Sequence, residues 1–111
     1  MNLKRVAVIS TVGLFLGLST VASASADTVW QRHHPRREQV NDRLHNLNRR
    51  IHEERREGEI SGAEARHLHA EVRTIRGQER FDARFNHGHI TRAEQRALNQ
   101  DENGVSRQIG R

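Results

Sequence analysis

The side chains best suited to chemistry in this chain are its eight histidines, most of which occur in close pairs. The pairs are His33 with His34, His67 with His69, and His87 with His89. Neutral imidazole is the commonest protein ligand for ions such as Zn²⁺, Cu²⁺ and Ni²⁺. Helix positions two apart do not face one another, whereas His87 and His89 flank a glycine in a predicted turn. We therefore take His87 and His89 as candidate metal ligands, with the turn that contains Glu64 as a weaker addition.

The remaining polar residues do not form the pattern of an enzyme. The sequence contains no cysteine, no HExxH zinc motif, no serine in a nucleophile-elbow context and no glycine-rich phosphate loop. Its 14 acidic residues read as scattered over the polar faces of helices. We therefore expect no enzymatic activity and no resident cofactor, apart from the metal ion considered above.

The basic residues indicate what the chain could bind. Acidic residues are interleaved with the arginines almost one for one, so most charge is expected to pair locally along helix faces. This pattern and the export signal described below argue against nucleic-acid binding. Guanidinium groups match phosphate geometry, so an anionic envelope component is an expected partner, beside other proteins.

A phrase of seven residues occurs twice, thirty residues apart. Its positions are Gly58, Ile60, Ser61 and Glu64 in the first copy, and Gly88, Ile90, Thr91 and Glu94 in the second. Such self-similarity indicates one supersecondary unit used twice, here over residues 58–76 and 88–106. The glycine suits the left-handed position after a helix, and the hydroxyl residue with the glutamate three places later predicts a capping box.

The repeated phrase also resembles the second half of an EF-hand calcium loop, in which the final glutamate binds the ion with both oxygens. The first half of the pattern is missing. An EF-hand would place oxygen ligands where this chain has Arg55 in the first copy, and Ala83 and Phe85 in the second. The resemblance is therefore to a degenerate loop: it implies no calcium binding in the second copy and weak binding at most in the first.

Most of the chain after residue 26 resembles a group of small exported bacterial helical proteins of unassigned function. The shared pieces are Gly58–Ala65, Gly88–Glu94 and Asn103–Arg107. A looser resemblance is to periplasmic helical-hairpin stress chaperones, which have Leu-Thr-x-x-Gln motifs that Ile90-Thr91-Arg92-Ala93-Glu94-Gln95 approximates. The resemblance implies an exported helical protein and brings no activity with it.

The first 26 residues predict a secretory signal peptide. Lys4 and Arg5 precede an apolar run over 6–21, and Ala24-Ser25-Ala26 supplies a cleavage site after Ala26. The run is shorter than the roughly 20 residues that span a bilayer, so we expect a periplasmic or secreted protein that is not integral to the membrane once cleaved. Loss of Lys4 and Arg5 leaves 17 arginines against 14 acidic residues, a net charge of +3.

The hydrophobic pattern predicts an all-α fold after a flexible lead over residues 27–35. Three antiparallel helices, as a helical hairpin or a small bundle, are expected within residues 36–111. Apolar stripes recur at helical spacing, and Phe81 and Phe85 extend the second stripe in a shifted register. Gly77 and Gly104 are expected to weaken the helices that contain them. The predicted core is thin, which is compatible with marginal stability, an extended shape or a homodimer. We expect an interaction or stress-protection protein, with a metal-binding module as the alternative.

Overall fold

Four α-helices make up the regular structure of residues 27–110, the part of the chain that the computed structural model describes. They are α1 (Val29–His33), α2 (Pro35–Arg56), α3 (Gly62–Arg84) and α4 (Arg92–Ile109). No strand occurs within this range, so the predicted all-α class is confirmed. The predicted signal peptide and Arg111 lie outside the described residues. The chain divides into two units between Arg32 and His33, and the three long helices belong to the second.

The core forms where α2, α3 and α4 contact one another in every pairing. Each helix contributes residues at spacings of three and four, which places them on one face. The buried apolar residues of the helices are Val40, Leu44, Leu47, Ile51, Ala65, Leu68, Val72, Ile75, Ala83, Leu98, Val105 and Ile109. Ile60 and Ile90, from the two repeats, close this core at the turns.

The turns that follow α2 and α3 both contain residues in the left-handed conformation, but at different positions. After α2, the Gly58 N–H donates to Arg55 O and the Glu59 N–H donates to Glu54 O, at 3.1 and 2.9 Å. These are the two bonds of a Schellman motif, with Gly58 at a φ of +82° in the left-handed position. After α3 the left-handed residue is His87, at +56°, and Gly88 follows at +89°. The second turn therefore places a histidine where the first has its glycine.

The predicted lead over residues 27–35 contains the short helix α1, and its flexibility stays a prediction. Thr28 and Gln31 form a reciprocal cap at the start of α1: the Thr28 N–H donates to Gln31 Oε1, and the Gln31 N–H donates to Thr28 Oγ1. A threonine followed three places later by glutamine is itself a capping-box sequence. Pro35 then opens α2, where its fixed φ and missing N–H are tolerated.

The structure bears on two further expectations about α3 and α4. The helices run through Gly77 and Gly104 without a break, because their apolar faces are held by packing on both sides of each glycine. Phe81 and Phe85 do not extend the buried stripe. They are 48% and 72% exposed, and Glu79 and Ala83 occupy the core positions instead. No helix within residues 27–110 is long and apolar enough to cross a membrane.

Candidate functional site

The repeated glutamates that would bind calcium in an EF-hand serve as helix caps. Glu64 Oε1 accepts a hydrogen bond from the Ser61 N–H at 2.9 Å, and Ser61 Oγ accepts one from the Glu64 N–H at 3.0 Å. In the second copy the Thr91 N–H donates to Glu94 Oε1 at 2.8 Å, and the Glu94 N–H donates to Thr91 Oγ1 at 3.1 Å. The two hydroxyl residues adopt backbone angles within one degree of each other. The repeat is thus used to start two helices in the same way.

Arginine side chains from α2 occupy the second turn. Arg36 Nη1 donates to Ile90 O at 3.3 Å, and Arg37 Nη1 donates to Gly88 O at 3.1 Å. Two backbone carbonyls of this EF-hand-like loop therefore already face guanidinium groups. Positive charge at that place opposes a bound cation, and the absence of calcium binding at the second loop stays a prediction.

The candidate metal ligands are not brought together into one cluster. His89 stacks on His34, with ring centroids 4.6 Å apart and planes 16° from parallel, while His87 is exposed in the turn. Glu64 lies in the capping box of α3. Within the described part of the chain, no group of three or more His, Asp or Glu residues could hold an ion. The metal hypothesis stays a prediction of the sequence.

Two acidic residues lie in the core, although the sequence pattern placed all carboxylates on polar faces. Glu79, 1% exposed, pairs with the Arg37 guanidinium through both Nε and Nη2. The same guanidinium reaches the carbonyl of Gly88. Arg37 therefore connects α2, α3 and the turn between α3 and α4 through one partly buried guanidinium.

Glu102 of α4 is the second buried carboxyl, and it is less well satisfied. It is 0% exposed, and neither carboxyl oxygen has a hydrogen-bond partner. Arg43 Nε lies 3.6 Å from Oε1, beyond hydrogen-bonding distance, because Arg43 Nη2 donates to Asn103 Oδ1 at 2.5 Å. Burial raises the pKa of Glu102 to about 7, although the charge of Arg43 lowers it.

A signal for both buried acids is present in the sequence. Glu79 follows Ile75 by four residues, and Glu102 follows Leu98 by four and precedes Val105 by three. Each glutamate thus continues an apolar stripe at the correct helical spacing. Reading the spacing without regard to residue type would have placed both in the core.

The solvent side of α3 combines exposed arginines with exposed phenylalanines. We define the α3 outer face by six exposed residues on one side of the helix: Arg66, Arg73, Arg80, Phe81, Arg84 and Phe85. None of the four arginines has a hydrogen bond or an ion pair within residues 27–110, in contrast to the local pairing that the sequence suggested. The two phenylalanine rings meet edge to face, with centroids 4.9 Å apart.

The α3 outer face adjoins a polar groove between α2 and α3. The groove is open, has a volume of about 430 Å³ and is lined by Asn41, Asp42, His45, Asn48, Arg76 and Arg80. Arg80 belongs to both surfaces. Because its lining contains two arginines and one carboxylate, that of Asp42, the groove carries an excess of positive charge.

Comparison with known proteins gives no direct guide to what these surfaces bind. No family model matches the chain, and neither a curated protein nor a solved structure shows a significant match.

Proposed function

We propose that this is an exported, non-enzymatic binding protein of the periplasm or extracellular space, built as three antiparallel helices that follow a cleaved signal peptide. Its role is interaction or stress protection, through contact with a protein or an anionic envelope component. The observation that supports this most directly is the α3 outer face, where unpaired arginines lie beside two exposed phenylalanines. Exposed aromatic and guanidinium groups are enriched at binding interfaces.

The buried acids favour binding over catalysis. A catalytic carboxyl needs contact with a substrate, whereas Glu79 is engaged by Arg37 and Glu102 has no exposed surface. Both residues are better explained as parts of the helix packing. The α3 outer face itself is cationic and aromatic, which suits recognition of a partner.

The test is a binding assay on the full chain expressed in a bacterial host. The fraction in which the protein accumulates and its measured mass report whether it is exported and cleaved after Ala26. The purified protein is then assayed for sedimentation with isolated envelope and for suppression of aggregation of an unfolding client. We expect activity in at least one assay and its reduction by Phe81→Ser with Phe85→Ser. A protein that is inactive in both assays would contradict the proposal.

A further inference from the structure

We infer that the α3 outer face docks onto a bilayer surface rich in anionic phospholipids. This inference rests on the proposed function and names the partner. Arg66, Arg73 and Arg80 follow one another at intervals of seven residues, and Arg84 lies four residues further on. At 1.5 Å per residue, the row is about 27 Å long on one side of a continuous helix.

No carboxylate of α3 forms an ion pair with an arginine of this row. The helix has four carboxylates, and each has another partner. Glu64 caps the helix, Glu71 lies 2.7 Å from His67 Nε2, Glu79 pairs with Arg37, and Asp82 accepts a hydrogen bond from Gln78 at 2.8 Å. On α2, by contrast, the exposed Arg49 does pair with a carboxylate, that of Glu53, at 3.4 Å. An anionic surface would therefore supply the negatively charged partners that these arginines lack within residues 27–110.

The phenylalanines favour a lipid surface over a purely polar partner. Phe81 and Phe85 stand on the same side as the arginines with about half or more of their surface in solvent. Gly77 lies between Arg73 and Phe81 with open space around its Cα, so no side chain separates charge from aromatic ring there. Helices that lie in a bilayer interface combine basic residues with inserted aromatic rings in this way. A straight row of charges also fits a plane better than a concave protein pocket.

The experiment measures co-sedimentation of the purified chain with vesicles of phosphatidylcholine alone and of phosphatidylcholine mixed with phosphatidylglycerol. We expect binding to the mixed vesicles and little binding to phosphatidylcholine alone. Added salt should weaken the binding, because it screens exposed charges beyond a Debye length of about 10 Å at 0.1 M.

Matched variants test whether the α3 outer face is responsible. Replacing Arg73, Arg80 and Arg84 with Gln should weaken binding about 100-fold, since each basic residue near an anionic surface contributes roughly five-fold. The control replaces Arg56, Arg92 and Arg96 with Gln: these arginines are also exposed and unpaired within the described chain, but they lie on or beside other helices. Circular dichroism verifies that both variants fold. Phe81→Ser with Phe85→Ser should weaken binding about ten-fold, with a loss that does not depend on salt.

Each outcome decides between the two proposals. A selective loss in the α3 variant supports the lipid surface. Equal losses in the α3 and control variants, or equal binding to both vesicle types, would overturn it. Binding to an envelope protein or to a client, without binding to the mixed vesicles, would overturn the lipid partner and leave the proposed function standing. Absence of binding in every assay would overturn both.

Discussion

Glu102 is the residue whose environment differs most from that of a surface carboxylate. Its raised pKa of about 7, against an ordinary value of 4.5, means that the folded state holds a proton that the unfolded state releases between these pH values. The free energy of unfolding therefore falls as pH rises through this window and levels off above it. One pKa unit corresponds to about 1.4 kcal/mol, so the total effect is a few kcal/mol at most.

We predict that Glu102→Gln removes this pH dependence. The variant should be more stable than the wild type above pH about 7, where the wild type must bury a charge, and close to it below pH about 4.5. Urea unfolding followed by circular dichroism across the pH range measures the difference. Glu59→Gln, at an exposed position, is the control and should leave the pH profile of the wild type unchanged. A Glu102→Gln profile parallel to that of the wild type would contradict the assignment.

At the scale of the helices, the repeated turns determine where α3 and α4 begin. Both capping boxes could be predicted from the sequence, because the hydroxyl residue and the glutamate that form them are local and separated by three positions. The cap of α1 follows the same rule at Thr28 and Gln31. The sequence therefore contains a capping signal for this short helix as well.

The packing of α3 was less predictable than its ends. A phenylalanine is usually assigned to a core and a glutamate to a surface, but helical register reverses both assignments here. Ala83 and Glu79 continue the buried stripe, and Phe81 and Phe85 fall on the other side of the helix. The partner that makes burial of Glu79 acceptable, Arg37, is 42 residues away in sequence. No local pattern identifies a partner at that distance.

The capping boxes lead to a prediction about helix stability. Ser61→Ala and Thr91→Ala should each reduce the free energy of unfolding by about 1 kcal/mol, because each leaves a helix N–H without its hydroxyl partner. Thr74→Ala is the matched control: Thr74 is exposed within α3, and its hydroxyl only donates to Ala70 O, so alanine there should be neutral or slightly stabilising. Thermal and urea unfolding give the values. Equal effects at all three sites would argue against the caps.

At the scale of the whole molecule, buried charge connects the helices that form the core. Arg37 reaches from α2 to Glu79 in α3 and to Gly88 in the following turn, while Arg43 of α2 approaches Glu102 of α4. Separation of α2 from the other two helices would leave both glutamates in apolar surroundings without a nearby arginine. The three long helices should therefore unfold together.

We predict that Arg37→Met destabilises the entire fold by about 3–5 kcal/mol, since it leaves the Glu79 charge buried without a partner. Adding Glu79→Met to the same chain should recover much of the loss, because the buried charge is then removed as well. The control is Arg49→Met in the exposed pair with Glu53, which should cost about 1 kcal/mol or less. If Arg37→Met costs no more than this control, the Arg37–Glu79 pair does not hold the helices together.

The continuation of α4 through Asn103 and Gly104 has a consequence for the chemical ageing of the protein. An asparagine followed by glycine deamidates readily in a flexible chain, because the glycine nitrogen can attack the asparagine side chain and close a succinimide ring. In α4 the backbone is helical and the Asn103 amide is held by Arg43, so ring closure requires the end of the helix to open. The rate at which Asn103 converts to aspartate or isoaspartate on storage therefore records how often α4 frays.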